Sequence, residues 1–151
     1  MKPHQLICLI CGHLNRFAAQ GSSGWPDCWA CNASLVSDAV AGIDEAIHNA
    51  AILHDSLPLI VGYWTPGSRS SRHTAAEFAR TAKDLRDAAR FAHLDPDSFP
   101  GITGIVQPAA LPLIVLYARG IEVARSSCIP ISTPNLGVYP ARDSRSICVN
   151  G

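Results

Sequence analysis

Two cysteine pairs, Cys8-Leu9-Ile10-Cys11 and Cys28-Trp29-Ala30-Cys31, constrain the first quarter of this chain more than anything else in it. Two residues between cysteines let both thiolates face one ion from a single knuckle, and two knuckles complete a tetrahedron. Gly12 suits the tight turn after the first pair. Between the pairs, Asn15 to Asp27 reads as loop, with Gly21, Ser22, Ser23, Gly24 and Pro26, and Leu14, Phe17 and Trp25 are too few apolar residues for a separate core. A small module of this kind needs a staple. The spacing therefore predicts a zinc ribbon over residues 1–36, with a structural Zn2+ on Cys8, Cys11, Cys28 and Cys31. Four thiolates leave no open position for water or substrate. The competing readings are reduced or disulfide-paired cysteines. His4 and His13 are expected at the surface, and Trp25 and Trp29 are expected to cover the ribbon in preference to standing out as docking anchors.

Composition bounds the rest. The chain has 151 residues, 48% of them apolar, and 12 basic side chains balance 12 acidic ones. A zero net charge argues against a general nucleic-acid or membrane-surface binder. No apolar run approaches a membrane span. Leu6 to Ile10 is too short for a signal peptide. Paired C-x-x-C motifs suggest metal where the compartment is reducing, so a cytoplasmic protein is expected.

From Ser37 the pattern changes. A helix capped by Ser37 or Asp38 would place Ile43, Ala46, Ile47, Ala50 and Leu53 on one face. Leu57 to Tyr63 reads as a buried central strand. A second helix is expected from about Arg69 to Arg90, with Ala75, Phe78, Ala82, Leu85 and Ala89 inward. Its arginines, Arg90 included, read as a solvated face. Short strands follow at Arg90–Leu94, Leu111–Tyr117 and Ile121–Ser126, the last two as a hairpin around Arg119-Gly120. After Cys128, Pro130, Pro134, Gly137 and Pro140 break any long helix. The order is that of an α/β domain with a mixed sheet flanked by helices, over residues 37–127, followed by a divergent segment at 128–151.

The cysteine pairs, LPLIVGYW, the turn Trp64-Thr65-Pro66, the helix after it and ALPLIVLYARG together resemble the bacterial thioredoxins that carry an N-terminal zinc ribbon. The resemblance spans about residues 5–127 and implies the thioredoxin-like fold. In that family the turn reads W-x-P-W-C-G-P-C. Here Gly67 replaces the second tryptophan, and Ser68 and Ser71 stand at the two redox positions. Pro112 matches the family's cis-proline, so a cis Leu111–Pro112 bond is implied. The family's buried aspartate is Gly62 here, and its helix-kinking proline is Ala76.

Disulfide exchange needs a thiolate and a resolving thiol. Serine supplies neither, so no catalytic residue remains at this turn as it is written. Cys128 and Cys148 are isolated, and nothing in the sequence places them there. A hydrolase built on Ser68 or Ser71 with His73 has neither elbow nor third group; a cap is the simpler role. What the resemblance leaves is a partner-binding groove formed by Trp64, Pro66, Gly67, Ser68, Ala110, Leu111 and Pro112. It would take an extended segment of a client protein by strand addition. The expectation is a redox-inactive adaptor or chaperone-like subunit, with a homodimer as a further option. The alternative is a protein-disulfide reductase whose cysteines at 68 and 71 were substituted by serine. Gly62 speaks against that, because silencing the cysteines does not require removing the buried acid.

Overall fold

The structure, a computed structural model, describes residues 3–18, 24–102, 104 and 111–127, together with the backbone of strand residues 129–130 and 146–147. The chain begins with a hairpin of β1 (His4–Ile7) and β2 (Leu14–Phe17). It continues through β3 (Ala41–Gly42), α1 (Glu45–His54), β4 (Leu59–Tyr63), α2 (Arg69–Asp84) and β5 (Arg90–Leu94). A helical turn at Pro100–Ile102 precedes β6 (Leu113–Ala118) and β7 (Ile121–Ser126), and β8 (Ile129–Pro130) pairs with β9 (Ser146–Ile147). The main sheet has the order β3-β5-β4-β6-β7. It is mixed: β4 runs parallel to β5 and antiparallel to β6.

Period-two alternation divides the core. Leu59, Val61, Tyr63, Val115, Tyr117, Ala92 and Leu94 pack with Ala51 of α1 and with Ile7. Ile60, Trp64, Phe91, Ile114 and Leu116 pack with Phe78 and Ala82 of α2 on the other face. All five residues of β4 are buried, as a central strand covered on both faces requires.

Three elements depart from the sequence reading. The first helix starts at Glu45, because Asp44 is its cap and accepts from Ile47 N at 2.8 Å. Residues 41–42 instead pair with Ala92 and His93. Ile43, Ile47 and Ala50 of the expected face do pack toward the core, but the buried residues of the helix are His48 and Ala51, and Leu53 is 67% exposed. A polar partner makes the buried histidine tolerable, since His48 Nε2 lies 2.5 Å from Tyr63 OH, which lies 2.7 Å from Tyr117 OH. The second helix stops at Asp84, with Leu85 as its cap, so Ala89 and Arg90 belong to the turn and strand that follow.

Glu122 and Arg125 form an ion pair at 2.6 Å although they stand three positions apart on a strand, where alternation would put them on opposite faces. The register of β7 slips by one residue opposite Leu116 and Tyr117, which returns both side chains to the same face.

Candidate functional site

The turn after β4 carries the residues that the sequence singled out. Ser68 caps α2 with extended backbone, and its Oγ accepts from Ser71 N at 3.1 Å. Ser68 Oγ–H donates to Ser71 Oγ at 2.6 Å, and Ser71 Oγ–H donates to the Thr65 carbonyl at 2.6 Å. The two hydroxyls thus close the turn on itself, which is ordinary capping chemistry. Ser71 is buried, whereas Pro66, Gly67 and Ser68 are exposed. Gly67 has φ of 104°, a region that favours glycine, and a Cβ there would meet nothing within 4 Å.

Trp64 backs this turn from within; it is 6% exposed. Its indole stacks on the His93 ring with centroids 4.0 Å apart and meets Phe78 edge-on at 5.4 Å. It lies over Gly62, where any Cβ would run into ring atoms Cζ3, Cε3 and Cη2. Gly62 is therefore matched to the indole. The space beneath the turn, where the resemblance would put a buried carboxylate, is filled by an aromatic ring. His93 faces Gly62 across the β4–β5 register, and its Nε2 lies 3.1 Å from the Trp64 carbonyl. Burial pushes the His93 imidazole below its ordinary value, opposed by that hydrogen bond and by Asp95.

Tyr63 pairs with Leu113, so Pro112 lies just beyond the end of β6, level with the start of the turn. The Leu111–Pro112 bond is cis, as the resemblance implied. Both residues are half-buried. Ala110 of the expected groove, and Cys128 and Cys148, lie outside the described residues.

The second cluster is built by two matching knuckles. Gly12 N donates to the Cys8 carbonyl and Asn32 N to the Cys28 carbonyl, at 2.8 and 2.9 Å. Gly12 and Asn32 both have positive φ, 83° and 65°, at equivalent positions after each pair. Asparagine is among the few residues that accept this conformation readily. The four sulfurs lie within 4.8 Å of one another, with Cys8–Cys31 and Cys11–Cys28 each at 3.6 Å. A tetrahedral ion with metal–sulfur bonds near 2.3 Å needs sulfurs about 3.8 Å apart, so the donor set fits one. Burial pushes the Cys28 thiol up, but N–H groups of Cys31 and Ala30 and the Asn15 amide outweigh it and bring it down to about 6.

Sequence reasoning missed Asn15. It is buried, its Nδ2 lies 3.5 Å from Cys28 Sγ, and its Oδ1 accepts from Trp29 N at 3.0 Å. No sequence signal marked it: Asn15 read as the start of a loop, whereas the structure places it in β2. The tryptophans divide, contrary to expectation. Trp25 packs against Phe17 and His4, while Trp29 is 76% exposed. Trp29 sits inside a C-x-x-C knuckle, and Ile10 of the matching knuckle is 64% exposed as well.

Arg90 joins the cysteine segment to the sheet. Its guanidinium donates to Asp55 Oδ2 at 2.5 Å, to the Leu35 carbonyl at 3.0 Å and to the Ile7 carbonyl at 2.7 Å. Asp55 Oδ1 accepts from Ile7 N at 2.9 Å. Both side chains are 2% exposed. Burial pushes the Asp55 carboxyl up, and Arg90 and the Ile7 N–H pull it back. Arg90 thus lies in the interior and not on the solvated helix face expected for it.

No family model matches this chain. Thioredoxin C-3 of Corynebacterium nephridii is 25% identical over 122 residues, 81% of this chain and 83% of that protein. The crystal structure of thioredoxin from Trypanosoma brucei brucei is similar at TM-score 0.52 and 12% identity, covering 59% of this chain and 78% of that one. The Malassezia sympodialis thioredoxin Mala s 13 follows at TM-score 0.50 and 16% identity, covering 56% and 75%. The fold is that of thioredoxin. On it, serines occupy the active-site turn where a dithiol would act, and an N-terminal cysteine cluster is able to coordinate a metal ion. Among the described residues no helix is long and apolar enough to cross a membrane.

Proposed function

We propose that this protein is a redox-inactive, protein-binding member of the thioredoxin fold class, an adaptor or chaperone-like subunit. It works through the groove between Pro66–Ser68 and Leu111–Pro112. The observation that carries the reading is the serine cap with Trp64 packed over Gly62. The hydroxyls are committed to closing the turn, and the slot for a proton-handling acid is occupied. Shape and main-chain hydrogen bonding are what such an edge can still offer.

The same proposal assigns a structural Zn2+ to Cys8, Cys11, Cys28 and Cys31. A closed thiolate site contributes folding free energy and no chemistry. Residues 1–36 would then be a ribbon fastened to residues 37–127 through Arg90. A cytoplasmic location suits reduced, metal-bound thiols.

The alternative, a reductase whose cysteines at 68 and 71 were replaced by serine, has the named likeness to Thioredoxin C-3 in its favour. The fit of Trp64 over Gly62 opposes it, because substitution at the turn leaves that packing unexplained. The adaptor reading is tested by affinity capture with the unaltered protein and with Pro112→Ala. Loss of the captured client in the variant, with an unchanged melting temperature, is expected. Equal capture by both proteins removes the groove from the account.

A further inference from the structure

The proposed groove carries a charge bias that identifies the chemistry of its partner. Resting on the groove reading above, we propose that the client segment bound there is an extended, acidic stretch of polypeptide. Arg69 and Arg72 lie within the first turns of α2, directly after the exposed Pro66–Ser68, and both are exposed. Among the described residues neither has an acidic partner, so both guanidinium charges are open to a ligand. The first turn of α2 contains no acidic residue, and the first one along the helix is Glu77, which is paired with Arg80.

The other charges at this sheet edge stand apart. Asp95 and Asp97 follow β5, on the opposite side of β4 from β6 and Pro112. The Asp95 carboxylate is already occupied by Asp97 N and the Ser98 hydroxyl, both at 3.0 Å. Among the described residues the partner therefore meets cations and no acid on the groove side. Main-chain groups are available to it as well. The β6 ladder begins at Leu113 against β4 and at Ile114 against β7, so residues 111–112 lie beyond the ladder on both sides. The open space over Gly67 leaves room for the segment's side chains. Rim charges of this kind govern partner choice and on-rate more than total affinity.

The test uses the full chain and two fluorescent peptides that share a Val-Thr-Val core, one flanked by glutamates and the other by lysines. Binding is read by fluorescence anisotropy at low and high salt. The glutamate peptide is expected to bind about tenfold more tightly at low salt, with the advantage shrinking as salt rises. The R69E/R72E double variant should reverse the preference. Both positions are exposed, and acids near a helix N-terminus favour the helix, so the variant should fold. Equal affinity for the two peptides, or an unchanged preference in R69E/R72E, overturns the acidic assignment; if Pro112→Ala still weakens binding, the groove itself survives. Binding indifferent to Pro112→Ala overturns the groove reading and this inference with it. Binding of neither peptide also overturns the inference, as does tighter binding of a single-stranded oligonucleotide than of the glutamate peptide.

Discussion

Replacing Arg90 by methionine is the sharpest perturbation this structure offers. The substitution keeps most of the aliphatic volume and deletes three donated hydrogen bonds. It leaves Asp55, 2% exposed, without its counter-charge, and it strips a donor from the Ile7 and Leu35 carbonyls. Removing one partner of a buried pair costs about 3–5 kcal/mol, because the remaining charge has lost solvent and partner together. Taking about 4 kcal/mol, and about 2–4 °C per kcal/mol for a chain of this size, the melting temperature should fall by about 8–16 °C. Urea unfolding and calorimetry at fixed metal content measure this directly, since bound metal itself shifts stability. The double variant R90M/D55N removes the stranded charge while keeping an acceptor for Ile7 N. It should recover a substantial part of the loss. If R90M lies within about 1 kcal/mol of the unaltered protein, or if R90M/D55N is no better than R90M, the buried clamp does not hold the cysteine segment to the sheet.

Three further outcomes follow from the same geometry. Gly62→Asp must displace the Trp64 indole and bury a carboxylate, so it should destabilise by about 2–3 kcal/mol or more and shift tryptophan emission; a neutral effect would show that the ring is free to move. Asn15→Ala should weaken metal retention against a chelator about 10–100-fold with the cysteines intact, and unchanged retention would make Asn15 a packing residue only. Burial holds His48 and His93 below their ordinary value of 6.5, so below that pH the unfolded chain takes up protons that the folded chain refuses. That contribution to stability is complete above about pH 6.5 and is lost as pH falls. The urea midpoint should drop between pH 7.5 and 5.5, less steeply in His48→Gln, and identical slopes would contradict the assignment.

What the sequence disclosed was local. A C-x-x-C pair, an apolar run or a serine before a helix acts within a few residues, and Cys8, Leu59–Tyr63 and Ser68 could be read from their neighbours. Arg90 could not. Its partners lie 35, 55 and 83 residues away, and a lone arginine after an amphipathic stretch has the pattern of a solvated face. The start of α1 was misplaced because Ser37, Asp38 and Asp44 are all competent caps, and the choice was made by the pairing of Ala41–Gly42 with β5. The absent acid at Gly62 was visible as a departure from a family pattern. That Trp64 fills its place became legible only once β4, β5 and α2 were brought together.

The central claim is that this thioredoxin fold has a turn able to bind but unable to exchange disulfides. Insulin disulfide reduction by the freshly prepared protein, with dithiothreitol as electron source, tests it most directly. The rate should equal that of dithiothreitol alone, and it should stay there with thioredoxin reductase and its nicotinamide donor. Catalysed reduction at a rate comparable with an ordinary thioredoxin would contradict the claim.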